Sequence, residues 1–511
     1  MLGRKFVPFQ RVDNWYGVNS KDSSDNMLDG EWDENSINIF SDPQGGIGSR
    51  SGFTGITTAS IGASTAWCGF YQYRKADKND YYIGGAGDGK VYGFATSKYT
   101  ELYSGLATGD DARYSFATLD DICVIVEGTV VPLAYTGSGS LATLSGTTIT
   151  ADFNIESWRY MWLHSTADPR LMYYCTTLGD PESSFTSFLN FDEDPYEVNG
   201  ACKQGDDMIV SKEWSLFRVQ YTGSEPKFTK RIISKIGSVS HWTMKQTPDS
   251  RLIFLAPDFQ VYMLVGDTPI PVGDNIQKFL RNGVNARLKY AVAGMLNSRS
   301  QYWLSFTYAS GATENDRTLV MNYDNPYRDK WGKLQYPWFV YSIPANCFAE
   351  MYVSGKAWLY HGGYLGKMYR DDTGTNDDGS AFTSTYKSKL YSLGDVTLEK
   401  KFKKLFLSFE NKGDWDLDVT ITCDDNAATQ KNISQNMLGG AGYNSLWDVA
   451  KWDVDYWSSE TDIDIGRDID RTGKLVQLIM GTSDLDAAWN IYNYVLMAQP
   501  LKRGSVRDRE S

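Results

Sequence analysis

The stretch "DYYIGGAGDGKVYGF" (residues 80–94) contains two short apolar and aromatic runs on either side of Asp88-Gly89. Asp-Gly favours the two-residue turn of a β-hairpin, because glycine accepts the positive φ that such a turn requires. Aromatic residues favour the half-buried surface of a sheet. The stretch therefore predicts a hairpin of two short strands.

Six further segments show a similar strand–turn–strand pattern, at a spacing of roughly 40–50 residues that matches one four-stranded propeller blade. They are "DDICVIVEGTVVPLAY" (120–135), "SWRYMWLHSTADPRLMYYC" (157–175), "DDMIVSKEWSLFRVQY" (206–221), "SRLIFLAPDFQVYMLV" (250–265), "SQYWLSFTYASGATENDRTLVMNY" (300–323) and "KAWLYHGGYLGKMYR" (356–370). One copy alone cannot bury its apolar face, so the copies must stack around an axis. We predict an all-β fold with a degenerate β-propeller of six to seven blades over residues 61–372. A β-sandwich with irregularly spaced hairpins is the alternative.

The bulk composition agrees with a β-rich, multidomain protein. The chain has 511 residues, more than one hydrophobic core usually serves. Aromatic residues make up 14% of it, and 47 residues are glycine. Aromatics favour strands and glycines mark turns, whereas long amphipathic helical patterns are nearly absent.

The regions that flank the repeats have a different character. Residues 1–60 show little periodicity and are interpreted as an N-terminal arm. Residues 373–383 are polar and rich in glycine and aspartate, which is typical of a linker. Residues 384–500 contain five strand-like segments and predict a C-terminal β-sandwich, and 501–511 predict a mobile charged tail. The five segments are residues 384–394, 400–411, 415–425, 473–483 and 488–500.

Three tryptophans cluster in "WDVAKWDVDYW" (447–457). Trp-Asp pairs close the blades of WD-repeat propellers, but here the pairs do not recur from blade to blade, so the chain is not interpreted as a WD-repeat protein. Two interpretations of Trp447, Trp452 and Trp457 stay open. They form a core that fixes a long segment onto the sandwich, or they anchor an interface, where tryptophan is enriched.

The strongest basic run is "LEKKFKKLF" (398–406). In a strand, Lys401 and Lys403 share one face and Phe402 takes the other. The two lysines are candidate interface residues that could contact phosphate or an acidic partner. Alternatively, they protect an exposed sheet edge against aggregation.

No metal or cofactor site is predicted. The six cysteines are far apart and the three histidines are isolated, whereas a zinc site needs clustered ligands. The cysteines are interpreted as buried free thiols in a reducing compartment. The aspartates near residues 371–384 lack the ligand spacing of an EF-hand.

The formal net charge of −13 weighs against a conventional nucleic-acid binder. It is compatible with an acidic wall that DNA passes without adhering to it. The N-terminus lacks the apolar region of a secretory signal, and no run approaches the ~18 apolar residues of a membrane span. We therefore expect a protein without a membrane span that is assembled in a cytoplasm.

The sequence contains no convincing catalytic constellation, so we predict that the protein is not an enzyme. No nucleophile elbow, P-loop or dinucleotide fingerprint is present. Propellers also host glycosidases, which need two carboxyls facing each other across a cleft. The acidic stretch "FDEDPYEVNG" (191–200) places Asp192, Glu193, Asp194 and Glu197 on one loop, which is more typical of a solvated surface.

Taken in order, several segments resemble the tail nozzle proteins of short-tailed bacteriophages, also called tail hub, tail tubular or packaged-DNA stabilisation proteins. The entry motif of that family is similar to "NIFSDPQGGIGSRSGF" (38–53), with Ser51 in place of the usual proline. Its central blades are similar to "GDPESSF" (179–185), "GDDMIVSKEWSLFRVQ" (205–220) and residues 237–280. The segment 447–457 is similar to an element of phage tail sandwich domains.

The resemblance implies a virion structural protein of the tail, assembled in the host cytoplasm. It implies a homohexameric ring that attaches to an adaptor below the portal and carries tail fibres or spikes on its flank. The ring would retain packaged double-stranded DNA and form the conduit for its ejection. The family has no catalytic residues, and it implies no cofactor.

Two alternatives from other classes remain. One is a propeller glycosidase or sialidase, although the repeated Asp-box turns of such enzymes are not found in this sequence. The other is a receptor-recognition tail protein that binds host glycans without cleaving them.

Overall fold

The computed structural model describes residues 9–41, 45–56, 60–95, 98–437 and 462–501. The chain forms two compact units. The propeller unit comprises Phe53–Asp324 and Tyr341–Thr373, and the sandwich unit comprises Met1–Gly52, Asn325–Val340 and Gly374–Ser511.

The propeller unit contains seven antiparallel sheets that follow one another along the chain and are numbered here as blades 1 to 7. Blade 1 contains the strands Trp67–Arg74, Asp80–Ala86, Lys90–Ala95 and Lys98–Ser104, and blade 2 contains Ser115–Leu119, Ile122–Val126, Leu133–Tyr135 and Ala142–Thr143. Blade 3 contains Ala151–Ser157, Tyr160–Ser165, Leu171–Tyr174 and Ser187–Asn190, and blade 4 contains Val198–Gln204, Asp207–Lys212, Leu216–Tyr221 and Phe228–Ser234. Blade 5 contains Lys245–Gln246, Leu252–Leu255, Val261–Val265 and Thr268–Pro271. Blade 6 contains, within this unit, Val292–Leu296, Gln301–Phe306 and Arg317–Asn322. Blade 7 contains Cys347–Val353, Lys356–Gly362, Met368–Asp371 and Phe53–Gly55.

The seven blades close into a ring. The first strand of each blade contacts the first strands of both neighbouring blades, including the contact of blade 7 with blade 1. Blade 7 takes its fourth strand, Phe53–Gly55, from the beginning of the unit, with Thr54 opposite Arg370. Because the first and last segments of the unit share one sheet, the ring of blades is closed by backbone pairing. The first strand of each blade forms the inner wall of the ring.

Each of the seven hairpins predicted from the sequence forms the second and third strands of one blade. The β-propeller is therefore confirmed, with seven blades. The turn lies where it was predicted but is one residue longer, because Ala86 pairs with Lys90 and residues 87–89 form the loop. Gly89 adopts a φ of +77° and its amide donates to the Ala86 carbonyl over 3.1 Å.

Apolar clusters between neighbouring blades hold the ring together. One cluster joins blades 7 and 1 around the fully buried Trp67, and another joins blades 2, 3 and 4 around Trp162. Helical elements in the described part of the chain are short and lie in the connections between strands. They are the α-helix Gln277–Arg281 and the 3-10 turns His241–Thr243, Asp274–Ile276, Asn285–Tyr290 and Asn297–Arg299.

The sandwich unit contains two larger sheets. The first has the strand order Ile39–Ser41, Ile47–Ser49, Asn490–Pro500, Lys400–Glu410, Asp462–Gly473, and Phe9–Val12 also pairs with Asn490–Pro500. The second has the strand order Ser384–Lys387, Val476–Thr482, Asp416–Cys423, Asn426–Asn436. Shorter strands are Gly17–Val18 paired with Glu31–Trp32, Tyr327–Arg328 paired with Leu334–Gln335, and Trp338–Tyr341, which spans the unit boundary.

The two sheets bury alternating apolar faces against each other. Leu417, Val419 and Ile421 are buried on the shared face that their spacing predicted. The Tyr386 and Tyr494 hydroxyls, one from each sheet, are hydrogen-bonded over 3.0 Å in the interior. The predicted C-terminal β-sandwich is therefore present, and each of its five predicted segments contains a strand.

The domain boundaries differ from those predicted. The predicted arm, residues 1–60, is not a separate element: strands Phe9–Val12 and Ile47–Ser49 pair with the C-terminal strand Asn490–Pro500, and Phe53–Gly55 completes blade 7. Residues 325–340 belong to the sandwich unit although they lie within the predicted propeller range. These pairings join segments hundreds of residues apart, which local periodicity does not reveal.

Candidate functional site

The three tryptophans predicted as interface anchors, Trp447, Trp452 and Trp457, lie outside the described residues. The chain that contains them, residues 438–461, connects the strands Asn426–Asn436 and Asp462–Gly473. The tryptophan prediction stays untested.

Those two strands are the terminal strands of their sheets, and each pairs with one neighbour in the described part of the chain. The two strands are in contact: the Arg467 Nε on one donates to the Gln435 side chain on the other over 2.9 Å. We call this pair of strands the open edge. Strands of 11 and 12 residues whose second side pairs with no other described strand present a row of backbone donors and acceptors that another chain can pair with.

Lys401 and Lys403 lie on the strand Lys400–Glu410, which is paired on both sides. The prediction that these lysines protect a sheet edge is therefore wrong. As predicted, Phe402 is buried while Lys403 is exposed on the other face. The Lys401 ammonium lies 2.7 Å from the Asp470 carboxylate of the neighbouring strand. That ion pair neutralises part of the basic run, which leaves Lys403 as its better candidate for contact with a partner.

The acidic loop Asp192–Glu197 does not present a pair of free carboxyls. The Asp194 carboxylate accepts from the fully buried Lys212 ammonium over 2.8 Å and from the Ser215 hydroxyl over 2.5 Å. These bonds outweigh the effect of burial and hold the pKa of Asp194 below its usual value. Glu193 is paired with Lys230. Most of the loop is exposed, as predicted, but Asp194 has a structural role that its sequence context did not reveal.

A cavity of about 170 Å³ lies at the beginnings of the first strands of blades 1, 2, 5, 6 and 7. Because those strands form the inner wall of the ring, we call it the axial cavity. Its walls include Phe116 and Phe348, and its polar groups include Arg113, His241 and Lys245. Burial lowers the pKa of His241 to about 3 and also lowers the pKa of Lys245.

A second concave surface lies where blades 7, 1 and 2 meet and has a volume of about 1130 Å³. We call it the aromatic groove, because Tyr81, Tyr82, Phe94 and Tyr360 line it. The Arg370 side chain also lines the groove, and its guanidinium lies 4.6 Å from the centre of the Trp358 ring. Aromatic faces with a few polar groups at the rim suit a ligand that is partly apolar.

Sequence reasoning missed the axial cavity and the aromatic groove. The residues of each come from several blades and have no common spacing along the chain. In the described residues, no group of three or more histidine, cysteine or acidic side chains is placed to hold a metal ion. Within the same residues, no helix has the length and apolar character needed to cross a bilayer.

No protein-family model matches the sequence, and no curated protein is significantly similar to it. Among solved structures, the chain is similar to YCF48 from Cyanidioschyzon merolae at 9% identity and a TM-score of 0.38, covering 63% of this chain and 98% of that one. It is also similar to YCF48 bound to D1 peptide at 11% identity and a TM-score of 0.37, covering 61% of this chain and 93% of that one. For BamB from Moraxella catarrhalis the identity is 10% and the TM-score 0.36, with 65% of this chain and 93% of that one covered.

Proposed function

We propose that this chain is a virion structural protein, the nozzle or hub subunit of a short phage tail. Copies of it assemble into a ring, a homohexamer by the resemblance of the sequence, below a portal adaptor. The ring retains packaged DNA and conducts it during ejection, and fibres or spikes dock on its side. The observation that carries the proposal is the open edge, which supports assembly through the sandwich unit.

The open edge suits contact between subunits. Its two strands offer backbone groups along a length of 11 to 12 residues, far more than the usual five or six residues of a strand. The segment with Trp447, Trp452 and Trp457 begins and ends at these two strands, and tryptophan contributes strongly to interface affinity. The same region of the sequence therefore offers both backbone pairing and side-chain anchors.

The DNA conduit has to lie between subunits. The axial cavity, at about 170 Å³, cannot admit a duplex whose major groove alone is about 12 Å wide. A ring of subunits would enclose a wider channel. Each chain has a net charge of −13, so the walls of such a channel would repel phosphate and let DNA slide.

Native mass spectrometry of the full chain, alone and with the tail adaptor, tests the proposal. We expect a closed oligomer in the presence of the adaptor. The triple variant Trp447→Ser, Trp452→Ser, Trp457→Ser should stay monomeric while its circular dichroism is unchanged. The matched control Trp331→Ser removes a tryptophan that is 59% exposed elsewhere in the sandwich unit and should assemble normally. A wild-type chain that stays monomeric with the adaptor present contradicts the proposal.

The aromatic groove favours a second candidate, the recognition of host glycans. Rings such as Tyr82 and Phe94 stack on the apolar faces of sugars, and the groove has the size of an oligosaccharide site. A glycan array with the wild type and Tyr82→Ala tests it. Selective binding that the variant loses supports this candidate, whereas failure to bind any glycan, together with docking on the adaptor, supports the nozzle.

A further inference from the structure

We propose that the axial cavity is a binding site for a small oxyanion of the size of phosphate or sulfate. This inference does not depend on the proposed function. It rests on two cationic side chains, Arg113 and Lys245, that line one small cavity without carboxylate partners in the described residues.

The Arg113 guanidinium is held by backbone carbonyls. One terminal nitrogen donates to the Asp110 and Ala112 carbonyls over 3.1 and 2.9 Å, and the other donates to the Tyr290 carbonyl over 3.0 Å. A guanidinium has five N–H donors, so two remain, one of them the buried Nε, which has no partner in the described residues. The carbonyls fix the orientation of the group but do not neutralise its charge.

Lys245 lies on the first strand of blade 5, and its ammonium has no hydrogen bond or ion pair in the described part of the chain. Burial lowers the pKa of Lys245, because the interior disfavours its charged form. An anion in the cavity would favour the ammonium again. Lys245 is half-buried, and partial desolvation of an ammonium without a partner is unfavourable, so an anion bound beside it would be stabilising.

A neutral donor accompanies the cations. The His241 Nδ1 accepts from the Ala201 amide over 3.3 Å, so the neutral ring carries its proton on Nε2 and can donate. Burial holds the pKa of His241 at about 3, which keeps the ring neutral at physiological pH. Trp242 also lines the cavity. The His241 ring therefore offers a neutral donor, which an anion prefers.

The carboxylates of Asp111, Asp152 and Glu156 have other partners. Asp152 lies 2.6 Å from the His164 ring, Asp111 lies 2.5 Å from Arg287, and Glu156 lies 2.5 Å from Lys203; the Asp110 carboxylate is exposed. The cavity is therefore a positively charged pocket in a protein whose net charge is −13. Such a pocket stabilises an anion through charge-assisted hydrogen bonds.

The size of the cavity limits the ligand. A volume of about 170 Å³ is several times what one water molecule needs, so a tetrahedral oxyanion fits and a nucleotide does not. The side walls at Cys68, Phe116 and Phe348 are apolar and exclude a larger hydrated group. The predicted ligand class is therefore a compact oxyanion.

Thermal denaturation of the full chain in sodium phosphate, compared with sodium chloride at equal ionic strength, tests the inference. A ligand that binds only the native state raises the melting temperature with its concentration. We expect phosphate to raise it by a few degrees in a saturable way for the wild type and the exposed-lysine control Lys235→Met. Lys245→Met should fold, because it removes a half-buried ammonium without an ion-pair partner in the described chain, and should lose the shift.

An equal phosphate shift in the wild type and Lys245→Met would overturn the inference, and so would the absence of any shift in the wild type. Because the variant could fail to fold, a second measurement uses the wild type alone. Crystals soaked in selenate should show an anomalous peak within hydrogen-bonding distance of Arg113 and Lys245. Selenate bound elsewhere, with an empty axial cavity, would also refute it.

Discussion

Substitution of Asp194 by alanine should strongly destabilise the propeller unit. The Lys212 side chain is completely buried, and the Asp194 carboxylate is its counter-ion at 2.8 Å. In the variant, the ammonium keeps only backbone carbonyls as acceptors, those of Phe191 and residue 194. Removing one partner of a buried ion pair costs about 3–5 kcal/mol, because the other charge stays buried without compensation.

The expected loss corresponds to a fall in melting temperature of roughly 6–10 °C, at about 2 °C per kcal/mol for a unit of this size. The assay is thermal unfolding followed by tryptophan fluorescence. Glu197→Ala, on the same loop but exposed, is the matched control and should change the free energy of unfolding by less than ~0.5 kcal/mol. The double variant Asp194→Ala, Lys212→Met should recover much of the loss, since no unpaired charge remains.

The same pair predicts a dependence on pH. The pKa of Asp194 is lower in the folded protein than in the unfolded chain. Its stabilisation is therefore complete above the unfolded pKa of about 3.9 and is lost as the pH falls through the folded pKa. The difference in stability between wild type and Asp194→Ala should shrink over that acidic range. A melting temperature of Asp194→Ala within 1 °C of the wild type at pH 7 would refute the structural role of the pair.

Three further predictions concern packing, buried hydroxyls and thiols. Gly362→Ala would place a Cβ 2.4 Å from the Trp67 Cβ where blades 7 and 1 meet, so it should cost about 1–3 kcal/mol in thermal unfolding. Tyr494→Phe leaves the buried Tyr386 hydroxyl without its acceptor and should cost about 1–3 kcal/mol, more than Tyr386→Phe, which removes only a donor. Burial raises the pKa of the thiol in each of the six cysteines, and all but Cys202 are buried, so a disulfide reagent at pH 8 should label the five buried thiols only in denaturant.

Each of these three predictions has a control variant or a result that would contradict it. Gly93→Ala, whose new Cβ would meet only the flexible Leu102 side chain at 3.2 Å, should be tolerated, and equal losses at both glycines would contradict the packing argument. The Tyr391 hydroxyl donates to the Asp29 carbonyl, so Tyr494 donates to Tyr391 and accepts from Tyr386; equal destabilisation by the two tyrosine variants would contradict this direction. Rapid labelling of a thiol in the native protein would show that its site opens readily.

The two surfaces best suited to binding were not predictable from the sequence. Arg113 lies ahead of blade 2 and Lys245 begins blade 5, and only the closure of the ring places them in one cavity. The ion pair between Lys401 and Asp470 was not predictable either, because Asp470 lies on a strand that the sequence analysis had not identified. A charge run records which residues are present but not which opposite charges the fold places beside them.

The sequence by itself determined the repeated unit. The turn at Asp88-Gly89 and the alternating apolar positions act over a few residues, so seven hairpins and five sandwich strands could be located from local patterns alone. The tertiary structure decided how the ends are used: Phe53–Gly55 completes blade 7 and Phe9–Val12 joins the last strand of the sandwich. Such pairings depend on backbone hydrogen bonds between distant segments, and these bonds are nearly independent of side-chain identity. The sequence therefore specified the strands. Only the closed fold specified which distant strands pair at the ends of the chain and which charged side chains face the axial cavity.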